Sequence, residues 1–499
     1  MGTAGVLLSL SATILSAPVR AADSLPPIKH VWFVLLENQS YTAFDDPHLS
    51  VLKQQGAWIQ NYFGIAHESL PNYIALIGGQ APTPQTQQDC NPYTDISPGS
   101  PSADGQVMGT GCVYPASRLT LADQLMQNHL TWKGYMEDLN IDNDPNRDPP
   151  MTCNPPGPQG RTDNTQTGST DQYAARHDPF MYFHSIIDSP VCKKDVVQLQ
   201  DKNVGLAHDL RSVSTTPNFS FVTPNLCNDG HDPSNPYTQS GRCAAPDACG
   251  NQDGGLKSIG CWLNIYVPKI TGSAAFGKDG MLVILFDEST TGDTTFCCGE
   301  QPGPNTANPG IAPASANSAS PGVAGGGGQV GAVVLSPFVK PGTVASGSYN
   351  HYSLLRTVED IFHTTGGDDG QGHLGYAGTY GIYDPGRFGG DVFTAPPPAA
   401  GQATPGSLPR VEPSPAGPLA PGVVAFGPTP LGATTGPAAT PQVAGDTSSP
   451  LPAPAWNAGA LAARADSAWW KGPAALVLGL MVLFGLGLAG AMAGFGRAG

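Results

Sequence analysis

The apolar residues of this chain fall into short uninterrupted runs. Val31-Trp32-Phe33-Val34-Leu35-Leu36 is one and Met281-Leu282-Val283-Ile284-Leu285-Phe286 is another. Runs of this length, rich in Val and Ile, predict strands of a parallel sheet buried on both faces. Asn218 to Val222 predicts a third strand, Thr131 to Leu139 a fourth and Val330 to Val339 a fifth, with Pro337 near its end. Between them, residues 49–56, 70–78, 119–130, 257–270 and 352–363 have helical spacing. The second of these is opened by Ser69 and Pro71, a hydroxyl for the N-cap and a proline in the first turn. Strands alternating with helices predict an α/β fold, a three-layer sandwich around a mainly parallel sheet. Residues 80–118 and 140–172 are polar insertions, the second pinned by Cys153. Residues 299–328 are low in complexity, and Gly325 to Gly328 read as flexible linker.

Composition divides the chain. All ten cysteines lie between Cys90 and Cys298, and all eleven histidines between His30 and His373. Beyond about residue 390, Pro, Ala and Gly dominate. One folded domain over 27–390, followed by a Pro/Ala/Gly-rich linker over 391–468, accounts for this. From Pro473 to Phe495 there is no charged residue, enough to cross a bilayer, with Trp469 and Trp470 just before it. Residues 473–495 are therefore expected to be a transmembrane helix. Residues 1–22 read as a signal peptide: an apolar stretch from Val6 to Leu15, then Val19-Arg20-Ala21 at the spacing for cleavage. The cysteines, without metal-type spacing, suit disulfides in an oxidising compartment. The adjacent Cys297 and Cys298 are expected to bond to separate partners. The net charge of −16 excludes nucleic acid as a partner. Any anionic substrate must be drawn in locally, by a metal and a few cationic groups.

Chemistry gathers at strand ends. Glu37-Asn38 and Asp287-Glu288 each close an apolar run, where open α/β sheets bind ligands. These four side chains predict a site for one divalent metal ion, and hard oxygen ligands favour calcium, magnesium or manganese over zinc. Ser69, at a helix N-terminus, is the candidate nucleophile, beside exposed amides that stabilise a phosphoryl group. His231, between Asp229 and Asp232, and His351 are candidates for phosphate binding and proton donation. His67 and His177 are further candidates around the substrate.

Six segments in order carry a family resemblance: Glu37-Asn38-Gln39-Ser40-Tyr41, His67-Glu68-Ser69-Leu70-Pro71-Asn72-Tyr73, Asn228-Asp229-Gly230-His231-Asp232, Asp287-Glu288, Ser336-Pro337 and Tyr349-Asn350-His351-Tyr352-Ser353-Leu354-Leu355. Together they resemble the bacterial phosphoesterase family, which holds acid phosphatases and phospholipases C within the alkaline-phosphatase superfamily. The similarity is nearest to secreted mycobacterial-type acid phosphatases, including phosphatidylinositol-3-phosphatases, and covers about residues 27–385. It implies an alkaline-phosphatase-like fold and a catalytic metal on Glu37, Asn38, Asp287 and Glu288. It also implies catalysis by Ser69, His231 and His351, with His67, Asn72, Asp229 and His177 on the substrate. Glu68 stands where the family commonly has Pro, and Asn228-Asp229-Gly230-His231 replaces a more histidine-rich version.

The expectation is thus an exported acid phosphatase acting on phosphomonoesters, phosphoinositides among them, through a phosphoserine. The C-terminal helix would anchor it at the extracellular face of the cell membrane. The alternatives are a phospholipase C-like phosphodiesterase and a non-catalytic cell-surface binding module on the same fold. Oligomeric state is not encoded in any pattern found.

Overall fold

In the computed structural model, eight strands form one sheet: β1 (His30–Leu36), β2 (Ala57–Ile59), β3 (Trp132–Met136), β4 (Val196–Gln198), β5 (Phe219–Thr223), β6 (Gly280–Phe286), β7 (Ala332–Leu335) and β8 (Thr343–Val344). Their order is β8-β2-β7-β6-β1-β5-β3-β4. β7 runs antiparallel to both its neighbours, and the other pairings are parallel. The mainly parallel sheet is therefore as expected, with one reversed strand. The structure describes residues 24–139, 153, 173–231, 254–290, 292–299, 301–306 and 325–396.

The two longest apolar runs lie side by side at the centre. Every residue of β1 and β6 is buried, and their register aligns Leu36 with Phe286. Successive β1 side chains go to opposite faces, as strand geometry requires. Phe33 meets Phe219 edge-on at 5.1 Å and Phe221 at 6.2 Å, and Phe221 in turn meets Tyr73. Trp32 points the other way, to Phe276 at 6.1 Å. Helices cover both faces: Tyr73 belongs to a helix over Ser69–Gly78 and Phe276 to one over Ala274–Asp279.

The helices that frame the site are α1 (Ser50–Gln55), α2 (Ser69–Gly78), α3 (Leu121–Gln127), α4 (Gly255–Thr271), α5 (Ala274–Asp279) and α6 (His351–Phe362), and further short helices span His184–Ile187, Pro190–Asp195 and Leu206–Asp209. α2, α3 and α6 pack on one another, and α4 packs on α5. α2 is buried at all ten positions, so its sequence carries almost no polar stripe. α6 is opened by Asn350, whose side chain accepts the Ser353 N–H while the Ser353 hydroxyl accepts the Asn350 N–H. That reciprocal box caps the helix.

Several expectations are corrected. Cys297 and Cys298 are disulfide-bonded to each other. Cys298 takes a left-handed backbone, φ 68°, which turns the neighbouring sulfurs together. Cys90–Cys112 and Cys153–Cys192 are also bonded, and no described cysteine is free. Gly325 to Gly328 are not a linker: all four are buried. Gly327 N–H donates to the Gly64 carbonyl, and Gly64 N–H to that of Gly328. Glycine is required because a Cβ on Gly64 would lie 2.7 Å from the Asp287 carbonyl oxygen, and one on Gly327 2.6 Å from that of Ala66. The folded body also runs past residue 390, since Val392 is buried and Asp391 accepts from Gly347 N–H and Tyr349 OH. Among the described residues no helix is long and apolar enough to cross a membrane. The expected signal peptide, nearly all of the linker and the span at 473–495 lie outside the described residues.

Candidate active site

The register of β1 on β6 makes the site. With Leu36 opposite Phe286, the next residues, Glu37 and Asp287, emerge side by side at the carboxyl ends of the two strands. Asp287 N–H donates to the Leu36 carbonyl at 2.9 Å, extending the ladder one step. Asn38 then turns into the left-handed region, φ 53°, which Asn tolerates better than most residues. The turn points its N–H at Asp287 Oδ1, 3.0 Å away. Asn38 Nδ2 donates to Glu37 Oε2 at 2.9 Å.

Ser69 is brought to the same carboxylate. It is the first residue of α2, and Glu68, not Ser69, holds the N-cap position without making a side-chain cap. The hydroxyl is turned to the acids instead and donates to Glu37 Oε2 at 2.8 Å. The other oxygen of Glu37 accepts from Tyr73 OH. Burial raises the Glu37 carboxyl well above the usual range and nearby Asp287 adds to this, while the Tyr73 and Ser69 hydroxyls oppose it. Burial does the same to Asp287, with Glu288 adding, and to Glu288, with Glu68 and Glu37 adding.

The histidines divide. His177 lies over Tyr73, rings 5.2 Å apart and 8° from parallel, with Nε2 3.3 Å from Glu37 Oε1. Burial lowers its pKa well below the ordinary value. His67 contacts Glu288 Oε2 through Nδ1, and its Nε2–H donates to the Asp293 carbonyl at 2.9 Å. Burial lowers His67 and raises Glu288, with Glu68 and Glu37 adding to the second. His351 Nε2–H donates to the Asp287 carbonyl at 2.6 Å, and its Nδ1 accepts from Tyr62 OH at 3.2 Å. Burial brings its pKa to about 4. Both ring nitrogens are thereby engaged in hydrogen bonds. His351 thus meets the Asp287 backbone directly. His231 is exposed, and its N–H donates to Asp229 Oδ1 at 3.0 Å. Asp229 sits against Glu37, whose N–H donates to its carbonyl at 2.9 Å, and lies 3.9 Å from His177 Nδ1.

Asn72 spends its amide on the backbone leading into α2. Its Oδ1 accepts from Ile65 N–H at 2.7 Å and Ala66 N–H at 3.1 Å, and its Nδ2 donates to the Ala66 and Glu68 carbonyls. It supports Ser69 from behind.

The donor chemistry fits a hard divalent cation. Glu37, Asp287 and Glu288 are buried, adjacent and mutually repelling, and Asp287 Oδ2 is buried without a well-formed hydrogen bond. A buried cluster of this kind is costly unless a positive charge neutralises it. The side chains are engaged with Ser69, Asn38, Tyr73 and His67, and among the described residues no group of three or more His, Cys, Asp or Glu stands arranged as a metal cage.

Sequence reasoning missed two neighbours of Ser69, Asp89 and Arg176. Asp89 Oδ1 accepts the N–H of Leu70 at 3.1 Å, and Asp89 Oδ2 lies 3.6 Å from Arg176 Nε. Both sit in irregular segments whose local pattern gives no sign of the contact. The only available signal was the pairing of Arg176 with His177.

The model of the phosphoesterase family matches residues 28–244 and 258–365, and the chain belongs to that family. It is 25% identical over 263 residues to a phosphate-repressible acid phosphatase of Penicillium chrysogenum, covering 52% of this chain and 48% of that one. It is 25% identical over 289 residues to an acid phosphatase of Aspergillus fumigatus, covering 56% and 51%. A phosphatidylinositol-3-phosphatase of Mycobacterium tuberculosis is 23% identical over 346 residues, 68% of this chain and 79% of that one. The chain thus spans about half the length of the fungal relatives. Among solved structures, a protein of the alkaline phosphatase superfamily from Vibrio parahaemolyticus aligns with a TM-score of 0.34 at 14% identity, over 67% of this chain and 66% of that one.

Proposed function

We propose that this chain is an exported acid phosphatase that hydrolyses phosphomonoesters through a phosphoserine formed on Ser69, on an alkaline-phosphatase-like fold. The observation that carries the reading is the Ser69 hydroxyl donating to Glu37 Oε2 at 2.8 Å, on the first residue of α2. Glu37 takes up the hydroxyl proton as Ser69 Oγ attacks phosphorus. His231, exposed beside Asp229, would protonate the leaving alkoxide and then activate the water that hydrolyses the phosphoserine. His177, Asp229 and Tyr73 orient Glu37, while Asn72, His67 and His351 hold the backbone and acids around it.

A single divalent ion, calcium, magnesium or manganese, would be held by Glu37, Asn38, Asp287 and Glu288. When bound, it supplies positive charge that offsets the buried carboxylates and withdraws electrons from a phosphoryl oxygen. The relatives called acid phosphatase and phosphatidylinositol-3-phosphatase support a monoester, with phosphoinositides within the class. Export is supported by the disulfides and by the apolar stretch at 6–15, and anchoring at the extracellular face by the uncharged stretch at 473–495.

The test is hydrolysis of an aryl phosphate by the full chain from about pH 4 to 9, with and without chelator, beside Ser69→Ala. Turnover lost in Ser69→Ala and on chelation is expected. Full activity in a folded Ser69→Ala protein would overturn the nucleophile. Hydrolysis of a phosphodiester and of no monoester would overturn the substrate class.

A further inference from the structure

The site described so far is almost wholly acidic, yet a phosphomonoester carries up to two negative charges at neutral pH. Glu37, Glu68, Asp229, Asp287 and Glu288 surround Ser69, and the chain has a net charge of −16. Among the described residues Arg176 is a cation tied to the first turn of α2, the helix that begins with Ser69.

Arg176 is the middle residue of a short turn, Ala175–His177, which packs on α2. Its neighbour His177 is fixed by stacking on Tyr73 of the same helix. The Arg176 side chain is only 9% exposed. It pairs with Asp89, 3.6 Å from Nε to Oδ2, and the other oxygen of Asp89 holds the Leu70 N–H in the first turn of α2. The guanidinium is therefore tied, through one carboxylate, to the residue next to Ser69.

Asp89 is held firmly. It and Cys90 both take left-handed backbones, φ 50° and 59°, and Cys90 is bonded to Cys112. Gln87, just before, donates through Nε2 to the His67 carbonyl at 3.1 Å. The loop that carries Asp89 is thus clamped to the segment that carries Ser69. Asp89 presents to a helix amide and a guanidinium the same kind of anionic oxygen that a phosphoryl group would.

We propose that Arg176 is a substrate-binding residue, the arm that grips the non-bridging oxygens of the phosphoryl group, with Asp89 as its positioning residue. This rests on the phosphoester reading of the site. A guanidinium matches phosphate in geometry and stays charged at all working pH values. It also offsets the acids that would otherwise repel a dianion.

The experiment is calorimetric binding of inorganic phosphate to the full chain, supplied with magnesium, for the wild type, Arg176→Gln and Arg176→Lys, with a melting curve for each. Aryl phosphate turnover is measured on the same samples. Arg176→Gln is expected to bind phosphate at least about tenfold more weakly, the loss of one charge-assisted pair. KM should rise by more than kcat falls. Arg176→Lys should recover part of the affinity, which a packing role would not predict. If Arg176→Gln does not fold, Arg176→Lys decides, and wild-type affinity in it overturns the inference. Wild-type affinity in a folded Arg176→Gln protein, or no phosphate binding by the wild type, also overturns it. Turnover with phosphate affinity indifferent to Arg176 leaves the phosphatase reading standing alone. Arg176-dependent binding without hydrolysis of any ester leaves the inference standing and removes that reading.

Discussion

Ser69 Oγ and Asn38 Nδ2 both donate to one oxygen, Glu37 Oε2, at 2.8 and 2.9 Å. That convergence fixes the serine hydroxyl against its proton acceptor, and removing either member should be felt in the chemical step. Ser69→Ala and Glu37→Gln are each expected to lower kcat by roughly a thousandfold or more. KM on an aryl phosphate should change far less, and circular dichroism should show the fold retained.

Removing divalent metal should destabilise the protein as well as inactivate it. Glu37, Asp287 and Glu288 are buried together, and a bound cation stabilises only the folded state that assembles them. Dialysis against chelator is expected to lower the melting temperature by roughly 5 °C. Magnesium, manganese or calcium should restore it in a scanning calorimetry trace, and Asp287→Asn should shrink the difference.

Asp178 gives stability a pH dependence independent of catalysis. Burial pushes its carboxyl from 3.8 up to about 7, against a hydrogen bond from Tyr173 OH. The folded state therefore keeps the proton across a range in which the unfolded chain has released it. Stability falls as pH rises from about 4 to about 7, by up to about 4 kcal/mol. Asp178→Asn should flatten that slope in urea melts at pH 4.5 and 7.5.

Asn72→Ala should cost stability through unsatisfied backbone. The Ile65 and Ala66 amides and the Ala66 and Glu68 carbonyls lose their partner, at about 2–4 kcal/mol. Chemical denaturation would show this, and a fall in kcat would accompany it because the segment entering Ser69 is loosened.

The parts of the fold legible in sequence are those specified locally. β1 and β6 announce themselves because every residue is apolar and buried, and α2 because Ser69 and Pro71 open it. The acid pairs could be placed at strand ends, since a strand has only one place to stop. What local patterns do not encode is partnership across the sheet. The reversed β7 is four residues long, too short to declare a direction. The buried glycines at 325–328 read as linker because the reason for their smallness, the approach of Gly64 and Ala66, lies about 260 residues away in the chain. Asp89 and Arg176 were invisible for the same reason: each is an ordinary loop residue until α2 brings them together. The hydrogen bond from His351 to the Asp287 carbonyl is likewise a partnership that no sequence pattern reveals.

The alignment of Leu36 with Phe286 has a consequence for how this chain tolerates change. Asn38 and Asp287 are 249 residues apart in sequence yet joined by one hydrogen bond. Their meeting depends on two neighbouring strands and not on the length of anything between them. Loops in that interval that carry none of the site residues can be gained, lost or exchanged at little cost to this meeting. A slip of a single residue between the two strands would send Glu37 or Asp287 to the wrong face and dismantle it. The protein is thus elastic in length and rigid in phase.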